Sequence, residues 1–456
     1  MKNAWEKYKG NNVKVVMDFS EGYKKFISDA KTEREAVTES IKLAKKAGFK
    51  DFKDLKSLKA GDKVYFNNRG KSLALFVIGK NAVEDGMNIL GAHIDSPRVD
   101  VKQVPLYEDN GLVLLDTHYY GGIKKYQWVA QPMSLHGVVC KKDGTTVNIC
   151  IGEKDDEPVI EFSDLLIHLA RDQMQKTGAK VVEGEDLNAL IGSIPKTGKK
   201  DERDLVKANI LAILKKEYGI EEDDFISAEL EIVPAGKARD LGLDRSMVMA
   251  YGHDDRICAY TSLMAILEMK NPARTSVCIL TDKEEIGSVG NTGANSTFFE
   301  NCVAELINKQ DKYNDLKLRH ALENSCMLSS DVSAAFDPNY PMVNEPKNTA
   351  YFGKGICFNK FTGSGGKGGS NDAHAEYIAK IRSIMDKNKV CFQTSELGRV
   401  DQGGGGTIAY ILANRNMDVI DAGIAVQNMH SCYETASKVD IYEAYLAYGV
   451  FLKEMK

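Results

Sequence analysis

The chain has 456 residues, 43% of them hydrophobic and 27% charged, the balance of a soluble globular protein long enough for more than one core. Its formal net charge of -5 comes without any long block of one sign, which argues against nucleic-acid or membrane-surface partners. No apolar secretion core follows Met1-Lys2-Asn3-Ala4-Trp5-Glu6-Lys7, and runs such as Leu73–Ile78 are far too short to span a bilayer. The nine cysteines are scattered, odd in number and never spaced as C-x-x-C, which suits a reducing cytoplasm. A metal site in such a chain would be built from His, Asp and Glu.

In chain order, Thr32-Glu33-Arg34-Glu35 has the form of a capping box, and a helical period runs on through Ala44 to a stop at Gly48. Strand signals follow at Lys63–Asn67, Leu73–Ile78 and Met87–Ala92, the first two separated by the turn Asn68-Arg69-Gly70. From about Arg98 the texture becomes β-rich: Val99–Val104, Leu112–Thr117, Met133–Cys140 and Val147–Ile151, with turns at Asp109-Asn110-Gly111 and Asp143-Gly144. Helices are expected at Asp164–Gln175 and Leu205–Tyr218, and a further strand at Ile226–Val233. After Gly236–Gly242 strands and helices alternate: Met247–Tyr251, Ile257–Met269, Val277–Leu280, Ala304–Lys309, Met327–Ser330, Asp372–Met385, Ile408–Asn414, Val419–Ala425 and Ile441–Lys453. Such alternation predicts an α/β fold, a three-layer αβα unit with a mostly parallel central sheet. The expected division is a discontinuous catalytic domain, 1–98 and 238–456, interrupted by an inserted β-rich domain, 99–237.

Candidate chemistry sits where the strands end, the place open α/β sheets give to ligands. His93 closes an apolar strand, with Asp95 two positions on, suited to fixing the tautomer of a ligand histidine. Asp254-Asp255 stand between a strand and a helix, where acidic residues also simply favour a first turn. Glu284-Glu285 follow a β-rich apolar run, and such a pair can divide labour, one glutamate binding metal and its neighbour taking a proton from a metal-held water. Asp331 and His430 repeat the pattern, so five ends of one expected sheet carry ligand types. Two imidazoles and three carboxylates leave two divalent ions slightly positive, which favours hydroxide between them. The glycine-rich 362–370 lacks a phosphate-loop pattern, and His-Glu-x-x-His is absent. Asp401-Gln402-Gly403-Gly404-Gly405-Gly406-Thr407 opens a helix and could bring backbone N–H groups to a substrate. His253 and His374 are read as structural or supporting residues.

His93-Ile94-Asp95-Ser96-Pro97, Asp254-Asp255-Arg256, Glu284-Glu285-Ile286-Gly287-Ser288, Ser329-Ser330-Asp331 and Met429-His430-Ser431 resemble, in order and spacing, the aspartyl aminopeptidase family, metallopeptidase family 18. The resemblance covers essentially the whole chain and implies a two-zinc aminopeptidase acting on peptides with a free amino terminus. It implies Asp254 as the bridge between metals by register over Asp255, His93 and Asp331 completing one ion, Glu285 and His430 the other, and Glu284 as general base. It further implies Asp95 orienting His93, His168 reaching a neighbouring subunit's active site, the β-rich insertion serving in dimerisation, and dodecamers built from dimers. Zn2+ is the default ion, and the same ligands accept Co2+ or Mn2+. Family members that read an acidic side chain use a lysine in the strand near 355–360, where Phe358 and Asn359 stand here; Lys360, Lys367 and Arg399 are the replacements at hand. The alternatives are a two-metal amidohydrolase of a non-peptide acyl or amino compound, told apart by the need for a free α-amine, and a non-catalytic peptide-binding protein of the same fold.

Overall fold

The computed structural model describes residues 2–197 and 203–456. The chain forms two compact units, one of Met1–Ser96, Ala238–Met429 and Glu434–Lys456, the other of Pro97–Lys237 and His430–Tyr433.

The larger unit is built on a nine-stranded sheet in the order Lys50–Asp51, Lys63–Asn68, Ser72–Val77, Thr275–Thr281, Met87–His93, Cys326–Ser329, Asp418–Gly423, Ile356–Asn359, Phe392–Thr394. The four strands from Thr275–Thr281 to Asp418–Gly423 are mutually parallel, and five of the eight adjacent pairs in the sheet are parallel. Unbroken apolar runs form these strands because both faces are covered. Ser72–Val77, Met87–His93 and Thr275–Thr281 are buried at every residue. Successive side chains alternate between two cores: Leu73, Leu75 and Val77 join one, Ala74, Phe76 and Ile78 the other. The first core is closed by helices Val13–Asp29, Glu33–Lys46, His253–Leu267, Ala375–Lys387 and Lys438–Glu454. Helices Phe298–Gln310, Asp315–Glu323 and Ala409–Ala413 close the second, which makes the three layers. Thr32 and Glu35 cap the second helix reciprocally, as their spacing predicts.

A second, five-stranded sheet in this unit runs Arg239–Leu241, Met247–Ala250, Glu434–Ser437, Ala425–Gln427, Ser333–Ala334. This corrects the expectation of five ligand-bearing ends on one sheet. His93, Glu284-Glu285 and Asp331 follow strands of the large sheet, whereas Asp254 and His430 follow strands of the small one. The helix Val13–Asp29 is another difference, for no reading of the sequence placed it.

The other unit is a wholly antiparallel seven-stranded sheet in the order Thr146–Ile151, Met133–Cys140, Ala228–Pro234, Arg98–Asp109, Leu112–Tyr120, Ala189–Gly192, Glu161–Phe162. Helix Leu205–Tyr218 lies where expected. Asp164–Gln175 is not a helix: it forms turns with a single short 3-10 turn, Gln173–Gln175, and Leu165, Leu166, Ile167 and Leu169 are more than half exposed. A helical period needs a core to face. All nine cysteines are unpaired with one another. Among the described residues no helix is long and apolar enough to cross a membrane.

The last helix ties both ends of the larger unit together. Buried Glu443 accepts from Lys7 Nζ at 2.8 Å, from the Tyr8 hydroxyl, and from the Cys391 amide at 2.8 Å. Asp440 accepts from the amides of Gly353 and Gly355, each at 2.7 Å. Burial raises the Asp440 carboxyl to about 7, against the pull of those two amides. Since the folded value lies above the unfolded one, the folded state holds the extra proton between about pH 4 and 7, and stability falls as pH rises through that window, by at most about 1.4 kcal/mol per pH unit. Asp440→Asn removes this contribution, so its melting temperature relative to the parent should climb from pH 5 to pH 8; a pH-independent difference in calorimetry refutes the assignment.

Candidate metal centre

Strand Met87–His93 places His93 at its last residue, fully buried. The His93 Nε2 lies 3.0 Å from Asp254 Oδ1, and its Nδ1 lies 3.0 Å from the Asp95 carbonyl oxygen and 3.4 Å from Asp95 Oδ1. Asp95 in turn accepts the Glu284 amide on Oδ1 at 3.1 Å and the Glu285 amide on Oδ2 at 3.2 Å. One carboxylate thus orients the histidine and the paired glutamates together. Lys283, at φ 68, turns the chain out of strand Thr275–Thr281 so that both amides can face it.

Asp254 and Asp255 depart from helical φ/ψ inside His253–Leu267 and are joined by a cis peptide bond. Gly252 precedes them at φ 77, and a Cβ there would fall 1.5 Å from an Arg256 guanidinium nitrogen. The turn is held on several sides. The Asp254 amide donates to Glu434 Oε2 at 3.0 Å, and the Ser96 hydroxyl donates to the Asp254 carbonyl. The Arg256 guanidinium donates to the carbonyls of Gly252 and Lys31. His253 Nε2 donates to the Val248 carbonyl at 3.1 Å, which leaves Nδ1 to accept the Tyr23 hydroxyl at 2.6 Å. Burial lowers His253 to about 4, so it is a neutral, structural histidine.

Donor atoms of His93, Asp254 and Glu285 lie within 4.8 Å of one another, and so do those of His93, Asp255 and Asp331. The two groups share His93 and divide the aspartate pair between them. Burial, and then the charge of Asp254, hold the Asp255 carboxyl well above the usual carboxylate range, with His93 and Cys258 opposing. Burial does the same to Asp331, reinforced by Asp255, Asp254 and Glu284. Burial disfavours a charged His93, yet Asp254, Asp95 and Glu284 outweigh it and raise its pKa. The cluster is a pocket of crowded negative charge.

His430 groups with the antiparallel unit, where Nδ1 donates to the Gly122 carbonyl at 2.8 Å and Nε2 becomes the lone-pair nitrogen. His168 is exposed among the apolar residues of 165–169 in the same unit. His374 caps helix Ala375–Lys387 and pairs with Asp418 at 2.8 Å. Sequence reading missed Glu434, Ser96 and Tyr23. Glu434 is 180 residues from its partner, and no local pattern marks it.

The sequence profile described as Aminopeptidase I zinc metalloprotease (M18) matches residues 26–452. The chain belongs to the M18 family of aminopeptidases. A Probable M18 family aminopeptidase 1 of Clostridium acetobutylicum is 61% identical over 456 residues, covering 99% of this chain and 98% of the relative. The crystal structure of an M18 aminopeptidase from Thermotoga maritima matches with a TM-score of 0.96 at 43% identity, over 100% of this chain and 99% of that one. More remotely, the yeast mApe1 dodecamer structure shares the fold, with a TM-score of 0.76 at 21% identity over 96% of this chain and 97% of that one.

The donors in this M18 chain fit the zinc that the family implies. They are imidazole nitrogen and carboxylate oxygen, a set zinc accepts. Burial first, and then the neighbouring carboxylates, hold the Asp255 and Asp331 carboxyls up, and a cation among them would relieve both effects. The three cations named as readers of an acidic side chain are otherwise engaged: Lys360 and Lys367 both pair with Asp372, and Arg399 donates to the Met342 carbonyl at 3.1 Å.

Gly423 packs its backbone against the loop that carries Asp331; a Cβ there would sit 1.6 Å from the Asp331 carbonyl oxygen. Gly423→Ala should therefore cost about 1–3 kcal/mol of stability and lower the zinc held per chain. Elemental analysis and thermal melting check this, and parental values in both would refute the contact's importance.

Proposed function

We propose that this M18 protein is a metal-dependent aminopeptidase that hydrolyses the aminoterminal residue of peptides, with Glu284 as general base. The observation that carries the reading is the double hydrogen bond from the Glu284 and Glu285 amides to Asp95, which also meets His93. A base and two metal ligands are thereby aimed by one buried carboxylate.

His93, Glu285, Asp331 and the Asp254–Asp255 pair would hold zinc; that there are two ions, that Asp254 rather than Asp255 is shared between them, and that His430 is a further ligand are what the family resemblance implies. When bound, zinc supplies Lewis acidity toward the scissile carbonyl and acidifies water to a pKa of roughly 7. Glu284 accepts the proton of the attacking water and delivers it to the leaving amine. Asp95 keeps the His93 ring and the glutamate turn in register through both transfers.

An acidic aminoterminal preference finds little support, because Lys360, Lys367 and Arg399 already have partners. Neutral residues should therefore be released at least as fast as Asp or Glu. The antiparallel unit is read as a dimerisation domain of a homo-oligomer, with the dodecamer as the expected size. Exposure of Leu165, Leu166, Ile167 and Leu169 around His168 supports this, since such a patch marks an association surface. His168 would then reach a neighbouring subunit's site.

A panel of aminoacyl chromogenic substrates tests the activity before and after chelation and on return of zinc, cobalt or manganese. Turnover should need a free amine, vanish with chelator and return with metal; Glu284→Gln should keep its metal and lose at least about 100-fold in kcat. Near-parental kcat in that variant removes Glu284 from the role. For assembly, Ile167→Asp should shift the particle to smaller species in light scattering, and an unchanged mass overturns the interface.

A further inference from the structure

The helix Val13–Asp29 precedes most of the span matched by the family profile, which begins at residue 26, and it carries none of the metal-binding residues named above. Its buried face nevertheless ends on the metal-bearing turn. Phe19, Tyr23 and Phe26 surround Tyr260 of helix His253–Leu267, with ring centroids 5.6, 5.5 and 5.2 Å away. The Tyr23 ring also stacks on His253, at 5.6 Å and 23°.

The hydroxyl completes a directed chain. His253 Nε2 must carry a proton, because the Val248 carbonyl can only accept. Nδ1 is then a bare acceptor, and the Tyr23 hydroxyl at 2.6 Å is its donor. Burial holds the Tyr23 phenol well above its ordinary pKa, so the donor stays protonated. The chain fixes ring orientation and tautomer in the residue directly before Asp254. Just beyond the same helix, the Lys31 carbonyl takes the Arg256 guanidinium directly after Asp255. The two aspartates are thus bracketed on both sides by the aminoterminal segment.

We propose that Tyr23 is a positioning residue of the metal centre, acting through His253 to hold the Asp254–Asp255 turn in its ligand geometry. The proposal rests on the metal-centre reading above. It adds a residue that touches neither metal nor substrate. Partners hydrogen-bonded directly to a ligand typically change metal affinity by about 10- to 100-fold when lost; Tyr23 acts one residue further out, through His253, so the lower end, about 10-fold, is the effect expected here.

The test uses the full chain stripped of metal, with zinc affinity measured by competition against a chromogenic chelator. Tyr23→Phe removes only the hydroxyl and should weaken zinc binding about 10-fold. Turnover should fall at limiting zinc and recover at saturating zinc, with KM unchanged. Phe26→Leu disturbs the same helix face without a bond to His253; it should lower the melting temperature of the metal-free protein and leave zinc affinity alone. His253→Gln should match Tyr23→Phe, and the double variant should bind zinc no more weakly than His253→Gln alone, the signature of one pathway. Parental zinc affinity in Tyr23→Phe overturns the proposal, as does Phe26→Leu weakening zinc to the same degree, or additivity in the double variant. If the parent chain itself binds no zinc, the metal-centre reading falls and takes this proposal with it; zinc binding by the parent separates the two failures.

Discussion

Crowding of negative charge in a buried place is the constraint on which the rest depends. Six carboxylates, those of Asp95, Asp254, Asp255, Glu284, Glu285 and Asp331, gather around the imidazole of His93. A low-dielectric setting makes such an arrangement unfavourable by itself. It persists because Asp95 is satisfied by two amides and Asp254 is held through its own amide and carbonyl. That self-repulsion is what a cation held among the carboxylates would relieve.

The sheet explains how so costly a site is supported. Alternating side chains lock each central strand between two helical layers, so the strand ends are rigid points rather than loop tips. His93 and the glutamate turn issue from two neighbouring parallel strands whose last paired residues are His93 and Thr281. Their spacing is set by the ladder itself. The aspartate turn issues from a different sheet and needs separate anchors, which Glu434, Ser96, Arg256 and His253 supply.

How much of this is legible in the sequence follows from the range of the interactions. His93, Glu284-Glu285 and Asp331 could be placed because each follows a continuous apolar run, a local signal with a local cause. The small sheet was not visible: Met247–Ala250 is short, and its partner Glu434–Ser437 is far along the chain, so no period announces the pairing. The first helix escaped because its buried face, Val16, Ser20, Tyr23, Phe26 and Ile27, includes a serine whose hydroxyl bonds back to the Val16 carbonyl. Asp164–Gln175 failed in the opposite sense. Its apolar residues look like core in a sequence, yet among the described residues nothing covers them.

The anchoring of the aspartate turn also bears on when the protein becomes whole. A chain emerging from the ribosome exposes Asp254 long before Glu434, and the helix that binds Lys7, Tyr8 and, through its last turn, Asn88 comes later still. Until Glu434 arrives the Asp254 amide lacks the carboxylate that accepts it, and the first core lacks the last of its five helices. The order of synthesis therefore leaves the aspartate turn without one of its anchors until the strand Glu434–Ser437 is made, just ahead of the last helix.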